Sequence, residues 1–255
     1  MLLKEKLMSG QKIYGTMLRI VQNPAVCFVA KNSGLDFVMY DCEHASYTME
    51  TLHNLFLTGN ALRLDGFLRV PSLSKDYISR ALDLGAQGVM APMLETLEMA
   101  EALVKYSKFQ PIGGRGYASA TAHVNYSIGG KHTEVMEQAN NTVISIAQIE
   151  TKMSVDNAEL IAATPGIDAL LIGPNDLSLS LGIPGDLFNQ MELDAIAHVA
   201  AACKKNKKAF GLHAGVKLLE KFIDDMTLVM TQTDIDVLTA GFTSIKDTCV
   251  NLSKK

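Results

Sequence analysis

The sequence predicts a (β/α)8 barrel, an α/β fold, on the basis of three observations. Short apolar runs alternate with longer amphipathic stretches along nearly the whole chain, as parallel strands and their crossover helices do. Eight such units can be counted, whereas a doubly wound sheet typically has fewer strands. The chain has 255 residues, which is the usual size of one barrel. We therefore expect residues 1–255 to form a single barrel domain.

The predicted strands are short and mostly apolar. In chain order they cover residues 13–18, 37–41, 66–70, 88–93, 143–150, 169–173, 209–213 and 228–232. Between them, apolar residues recur at three- and four-residue steps, which is the helical period. The clearest predicted helices cover residues 24–32, 76–84, 97–106, 155–163 and 193–204.

The longest connection between predicted strands covers residues 107–140. It contains one proline and five glycines, Pro111, Gly113, Gly114, Gly116, Gly129 and Gly130. A segment of this length is uncommon unless it is functional or carries short helices of its own. We expect a loop and a helix inserted over the mouth of the barrel, where His123 and His132 are within reach of a site.

The composition favours a small-molecule ligand. With 48% hydrophobic residues, the chain can bury a large core, which excludes a disordered protein. The balance of 23 Lys and Arg against 27 Asp and Glu gives no electrostatic reason to bind nucleic acid or anionic lipid. We see no secretory leader and no apolar run of about 18 residues, so we expect a cytoplasmic protein without membrane contact.

Barrel enzymes place their chemistry at the C-terminal ends of the strands, and polar residues follow strands two and three. Strand two is followed by Asp41-Cys-Glu-His44. A histidine here suits a general base, although the same acids also suit a helix N-terminus or, for Glu43, a structural ion pair. Strand three ends at Arg69, where a guanidinium suits a carboxylate or a developing oxyanion. A structural salt bridge is the alternative for Arg69.

Two acids follow strands five and six. Gln148 and Glu150 are two residues apart and therefore lie on one face of strand five. Asp176 follows strand six, and together with Glu150 it can bind one hard divalent cation that keeps open positions. Helix capping is the competing explanation for Asp176. The Gly173-Pro174-Asn175 turn supplies backbone N–H groups for a substrate carboxylate, and His213, at the end of strand seven, is a weaker candidate.

Six groups of short motifs occur in order between residues 34 and 178. They are Gly34-Leu-Asp-Phe through Asp41-Cys-Glu-His44-Ala, Arg69-Val-Pro71, Leu82-Asp-Leu-Gly-Ala-Gln87 with Ala91-Pro-Met93, Gly113-Gly-Arg115-Gly, Gln148-Ile-Glu150-Thr, and Ile172-Gly-Pro-Asn-Asp176-Leu-Ser. On these motifs the sequence resembles the HpcH/HpaI family of metal-dependent class II pyruvate aldolases. Jointly the motifs are specific, although none of the shortest would be so alone.

The resemblance implies roles for several residues. Glu150 and Asp176 would hold a divalent ion, Mg²⁺, Mn²⁺ or Co²⁺. Arg69 would stabilise an enolate oxygen, and His44 would be the base. Gln148 and the backbone around position 175 would bind the pyruvate moiety.

The resemblance also implies an oligomer. Asp83 would raise the proton affinity of the base, yet it falls at the end of a helix, at the face opposite the mouth. The family resolves this by packing an acid of a neighbouring subunit into the site, typically in a hexamer with exchanged C-terminal helices. The sequence departs from the family at Met17 and Leu73, where many members have Trp, and at Val70, often Pro. These departures concern the aldehyde acceptor more than the chemistry.

The leading functional prediction is reversible cleavage of a 4-hydroxy-2-oxo acid to pyruvate and an aldehyde through a pyruvate enolate. Asp41 is predicted to take part in catalysis with His44 and Arg69. Two alternatives stay open: other metal-enolate chemistry, namely oxaloacetate decarboxylation or an acyl-CoA lyase reaction, and a non-catalytic barrel that binds a 2-oxo acid.

Overall fold

Eight parallel strands close into a barrel in chain order, and β8 pairs with β1. The structure is a computed structural model that describes residues 1–128 and 130–254. The predicted fold class is confirmed. The strands are β1 (Ile13–Leu18), β2 (Phe37–Asp41), β3 (Asp65–Arg69), β4 (Gly88–Ala91), β5 (Ile144–Ile149), β6 (Ala169–Ile172), β7 (Ala209–His213) and β8 (Leu228–Thr233).

Helices surround the barrel and connect successive strands. They are α1 (Leu3–Met8), α2 (Val26–Asn32), α3 (Met49–Leu62), α4 (Lys75–Asp83), α5 (Leu97–Ser107), α6 (His132–Thr142), α7 (Lys152–Asp156), α8 (Ala158–Ala163), α9 (Pro174–Ser180), α10 (Gln190–Lys205), α11 (Val216–Phe222) and α12 (Asp234–Leu252). In the part of the chain that the structure describes, no helix is both long and apolar enough to cross a membrane.

The prediction of one continuous helix over residues 155–163 is wrong. The helical region begins earlier, at Lys152, and it is broken in two. The structure has two short helices there, α7 and α8, which meet at Asn157. The backbone of Asn157 leaves the helical region, at φ −98° and ψ 5°, and its side-chain amide donates to the carbonyl of Glu95 at 2.8 Å. A tertiary hydrogen bond therefore accompanies the break in a helical pattern.

Large and small residues alternate in register across the barrel interior. Phe37 pairs with Gly15, and Phe67 pairs with Gly88. The two phenylalanine rings stack with their centroids 4.8 Å apart. A side-chain carbon on Gly88 would lie 2.8 Å from the Phe67 ring, and one on Gly15 would overlap the Phe37 ring. The glycines thus make room for the rings that fill the barrel below the mouth.

The insertion does not cover the barrel mouth, so the predicted placement of residues 107–140 is wrong. The segment connects α5 to β5, and a connection from a helix to the next strand lies at the N-terminal ends of the strands. It lines a cavity of about 450 Å³ there, which contains His123 and His132 together with Gln87, the residue before β4. Only its helix, α6, and a short 3₁₀ turn at Ala122–Val124 fit the expectation.

Candidate active site

A cavity of about 200 Å³ opens at the C-terminal ends of the strands. Each of the eight strands, or the turn that directly follows it, contributes to its wall. The lining residues are Met17, Arg19, His44, Arg69, Met90, Gln148, Leu171, Gly173, Pro174, Asn175, Asp176, His213 and Thr233. The barrel mouth therefore collects most of the predicted site residues.

Asp41 is fully buried at the end of β2 and is saturated with hydrogen bonds. Arg69 donates to it from Nε at 3.0 Å and from Nη2 at 2.7 Å, and the amides of Glu43 and His44 donate at 3.0 and 3.2 Å. Burial alone would raise the pKa of this carboxyl, but the bonds from Arg69 and the two amides outweigh burial and lower it. Asp41 is therefore an ionised group that positions Arg69 and the turn carrying His44.

The His44 ring lies at the rim of the cavity and is 53% exposed. Its Nε2 is 3.7 Å from Glu43 Oε2, and the same oxygen is 2.9 Å from Arg69 Nη1. Glu43 thus links the candidate base to the candidate oxyanion-binding group, which fits its predicted ion pair. The imidazole is free to meet a ligand from the solvent side.

Asp83 lies away from this group within one chain. It ends α4 and is held by Arg115, whose Nη2 is 2.5 Å from Asp83 Oδ1. Helix α4 ends at the N-terminal side of the barrel, opposite the cavity. Asp83 and His44 of one chain therefore lie apart. This separation was expected from the position of Asp83 at the end of a helix.

Glu150 is 1% exposed and lies directly after β5, behind the cavity wall. Its Oε1 accepts a bond from the Met93 amide at 2.7 Å, and its Oε2 accepts one from Gln148 Nε2 at 2.5 Å. Burial, then repulsion from Glu43 and Asp176, raises the pKa of Glu150 to about 7, even though the bond from the Met93 amide opposes the shift. The negative charges of Glu43 and Asp176 therefore both act on Glu150.

The oxygen atoms around Glu150 fit a hard divalent cation. Asp176, in the first turn of α9, is exposed to the cavity, and Gln148 Oε1 is buried without a hydrogen-bond partner in the described residues. Carboxylate and amide oxygens are preferred ligands of Mg²⁺ and Mn²⁺. Among the described residues, no group of three or more His, Cys, Asp or Glu side chains forms a complete metal site. A two-carboxylate site leaves positions for water and substrate.

Gly173, the residue directly after β6, lies against the Glu150 carboxylate. A side-chain carbon at this position would lie 2.6 Å from Glu150 Oε2 and 2.8 Å from Gln148 Nε2. We expect Gly173→Ala to displace the carboxylate and to weaken divalent-metal binding by roughly 10- to 100-fold, as changes next to metal ligands do. Titration calorimetry with Mn²⁺ measures this.

A matched control for that variant is Gly215→Ala. Gly215 also follows a strand at the mouth, but a side-chain carbon there meets nothing within 4 Å. The Gly215→Ala variant should bind Mn²⁺ with the affinity of the wild type. Equal affinities for the Gly173 and Gly215 variants would contradict a metal site at Glu150.

One charged cavity residue, Arg19, escaped the sequence analysis. It follows β1 directly, so the rule that singled out the ends of strands two, three, five and six applies to it as well. The sequence Met17-Leu-Arg19 already places an arginine at the end of the first strand. It was overlooked because the sequence predictions concentrated on clusters of acidic residues. His213 does line the cavity, as its position at the end of β7 predicts.

The motifs and the barrel agree with a known family. A family model described as HpcH/HpaI aldolase/citrate lyase matches residues 18–237. The chain belongs to the HpcH/HpaI aldolase/citrate lyase family. The predicted resemblance is thereby confirmed, and so is the expectation of a carbon–carbon lyase of the aldolase type.

Relatives within the HpcH/HpaI family are similar over most of the chain. A 4-hydroxy-2-oxovalerate aldolase of Novosphingobium aromaticivorans is 35% identical over 79% of this chain and 76% of its own. A 4-hydroxy-4-methyl-2-oxoglutarate aldolase of Hapsidospora irregularis is 31% identical over 94% of this chain and 91% of its own. The two names differ in substrate, so they leave open which acid an HpcH/HpaI member with this cavity cleaves.

Two solved structures superpose closely on this chain. An aldolase of this family from Desulfitobacterium hafniense has a TM-score of 0.92 at 27% identity, over 98% of this chain and 96% of that one. A citrate synthase structure has a TM-score of 0.88 at 26% identity, over 99% of both chains. The barrel and its strand order are therefore shared with proteins named for more than one reaction.

Proposed function

We propose that the protein cleaves a 4-hydroxy-2-oxo acid reversibly to pyruvate and an aldehyde, with a divalent metal ion at Glu150 and Asp176. The single observation that supports this most is one small cavity lined by Arg69 and Asp176, with the Glu150 carboxylate lying against Gly173 in its wall. Among the described residues that line the cavity there is no lysine, which favours an enolate over a Schiff base.

The metal ion is Mg²⁺, Mn²⁺ or Co²⁺ in this proposal. When bound, a divalent ion supplies positive charge that stabilises an enolate oxygen. Glu150 and Asp176 are the residues that hold it, because both are oxygen ligands at adjacent strand ends. Glu150 is kept in place by the amide of Met93 and the side chain of Gln148.

Pyruvate is bound by the groups next to these carboxylates. Gln148 orients its carboxylate or keto oxygen, and the Gly173-Pro174-Asn175 turn contacts it at the end of β6. Arg69 carries a fixed positive charge at the same wall, held by two bonds to Asp41. A preorganised donor of this kind is typically worth about 3–4 kcal/mol in a transition state.

His44 is the base in this proposal. It takes the proton of the C4 hydroxyl, so that the C3–C4 bond breaks, and returns a proton to C3 of the enolate. Asp83 of a neighbouring subunit raises the proton affinity of His44, since Asp83 of the same chain lies at the opposite end of the barrel. The site is then complete only in an oligomer.

Removal of the metal ion tests the reaction. A chelator, or the substitution Glu150→Gln, is expected to lower pyruvate release from a 4-hydroxy-2-oxo acid by about 10³-fold or more, since Lewis-acid stabilisation is worth several kcal/mol. Glu159→Gln, a surface change on α8, is the control. Full pyruvate release without metal would defeat the proposal.

Other metal-enolate chemistry is the second candidate, supported by the similarity to a citrate synthase structure. Supplying oxaloacetate and measuring carbon dioxide separates decarboxylation from aldol cleavage. A catalytically silent binding barrel is excluded if metal-dependent exchange of the methyl protons of pyruvate is observed. The cytoplasmic location stays a prediction.

A hexamer with exchanged C-terminal helices is also part of this proposal. Helix α12 exposes large apolar side chains in its middle turns. Phe242 is 66% exposed and Ile245 is 62% exposed. Exposed apolar faces of this kind are typical of subunit interfaces. We expect the wild type to sediment as a hexamer and Phe242→Asp to sediment as a smaller species. A monomeric wild type with full activity would contradict a shared site.

A further inference from the structure

Arg19 is placed at the mouth by a buried carboxylate from the other end of the chain. Asp234, the first residue of α12, is 6% exposed. It accepts bonds from the amides of Arg19, Ile20 and Val21 at 3.0, 2.9 and 2.8 Å. Three bonds to one carboxylate fix the backbone of the loop after β1. The side chain of Arg19 therefore starts from a well-defined point at the cavity edge.

The guanidinium of Arg19 is close to Asp41 but is not needed to neutralise it. Its Nε lies 3.3 Å from Asp41 Oδ2, which Arg69 already contacts at 2.7 Å. Asp41 has four other hydrogen bonds, two of them from Arg69, and the Arg19 side chain keeps 35% of its surface exposed. Arg19 thus offers donors to a ligand, whereas Arg69 is held by Asp41 and Glu43.

The position of Arg19 relates it to one part of the substrate. Its Nη2 donates to the backbone carbonyl of His44 at 3.5 Å. If His44 takes the proton of the C4 hydroxyl, a substituent on C4 lies beside this guanidinium. Gln148, Gly173 and Asp176 belong to other strand ends, where the 2-oxo acid end would bind. Arginine matches a carboxylate with two parallel donors.

We propose that Arg19 binds a carboxylate carried on C4 of the substrate, so that the protein prefers 4-hydroxy-2-oxo diacids and releases an aldehyde that is itself an acid. This inference rests on the proposed aldol cleavage and adds the class of the second product. A guanidinium that served only to pair with Asp41 would show no preference between charged and neutral substrates.

Two substrates that differ in one group provide the test. 4-Hydroxy-2-oxoglutarate has a carboxylate on C4, and 4-hydroxy-2-oxopentanoate has a methyl group there. We expect the wild type to cleave the diacid with the higher kcat/KM. In Arg19→Met the ratio of the two kcat/KM values should fall by about 10- to 100-fold, the range of a lost charge-assisted hydrogen bond. Arg19→Lys, which keeps the charge but loses the two parallel donors, should retain only part of the ratio.

The controls separate this inference from the proposed function. Arg80→Met changes an exposed arginine on α4 and should leave the ratio unchanged. Equal losses on both substrates in Arg19→Met, or a wild-type ratio near 1, would overturn the inference. If the metal-loaded wild type also failed to exchange the methyl protons of pyruvate, the proposed function would fail as well. Exchange without a diacid preference would overturn the role of Arg19 alone.

Discussion

Replacing Arg69 with lysine is expected to lower kcat for aldol cleavage by about 100- to 1,000-fold, with little change in the far-UV circular dichroism spectrum. Arg69 holds Asp41 with two parallel bonds and reaches Glu43 with a third nitrogen. A lysine ammonium is a point charge and cannot make this fork, so the positive charge would no longer lie at a fixed place. Loss of one preorganised oxyanion donor typically costs this much in rate.

The matched control is Arg80→Lys, the same change at an exposed site on α4, and it should keep the wild-type kcat. Steady-state assays of pyruvate release at saturating metal give both values. If the Arg69→Lys variant retained more than a third of wild-type kcat, Arg69 would only pair with Asp41. The proposed role at the enolate oxygen would then be withdrawn.

The second large effect concerns stability. Asp168 is buried before β6 and pairs with Lys108 and Lys4, each with an Nζ–Oδ distance of 2.8 Å. Lys108 is itself only 1% exposed. Asp168→Asn leaves two cations with no carboxylate, and breaking a buried pair in this way costs about 3–5 kcal/mol. We expect the free energy of unfolding in urea to fall by that amount at equal protein concentration.

Low pH should reduce the difference between this variant and the wild type. Burial would raise the pKa of Asp168, but Lys108 and Lys4 outweigh burial and lower it. The pair therefore stabilises the fold above the ordinary carboxyl pKa of about 4 and is lost as pH falls below it. Glu159→Gln, which breaks the exposed pair with Lys205, should cost less than about 1 kcal/mol. Similar losses for both variants would contradict a buried network.

Most of the fold prediction rested on the spacing of apolar residues along the chain. The strands at Ile13–Leu18, Phe37–Asp41 and Ala209–His213 have the predicted bounds, and each is a mostly apolar run that begins directly after a charged residue. Strand β4 ends at Ala91, two residues before the predicted end, and Met93 has a φ of 49°. The chain turns there so that the amide of Met93 reaches Glu150. A bond to a distant residue of this kind leaves no local pattern.

Most of the site prediction rested on polar residues at the C-terminal ends of the strands. His44, Arg69, Gln148 and Asp176 all line the cavity, since a closed parallel barrel brings every strand end to one face. Arg19 was missed, although the same rule reaches it. The predicted position of residues 107–140 over the barrel mouth was wrong. The prediction relied on the length of this segment. Its place between helix α5 and strand β5 puts it at the N-terminal ends of the strands instead.

The sequence by itself determined the barrel, the order of its strands and most of the polar residues at its mouth. These follow from periodicity and from the geometry of parallel strands, which are local properties repeated along the chain. Only the tertiary structure decided which charges meet. The sharing of Asp41 by Arg69 and Arg19, and the hold of Asp234 on the loop after β1, join residues up to 215 positions apart. Such pairings depend on distance in space, and spacing along the chain does not encode it.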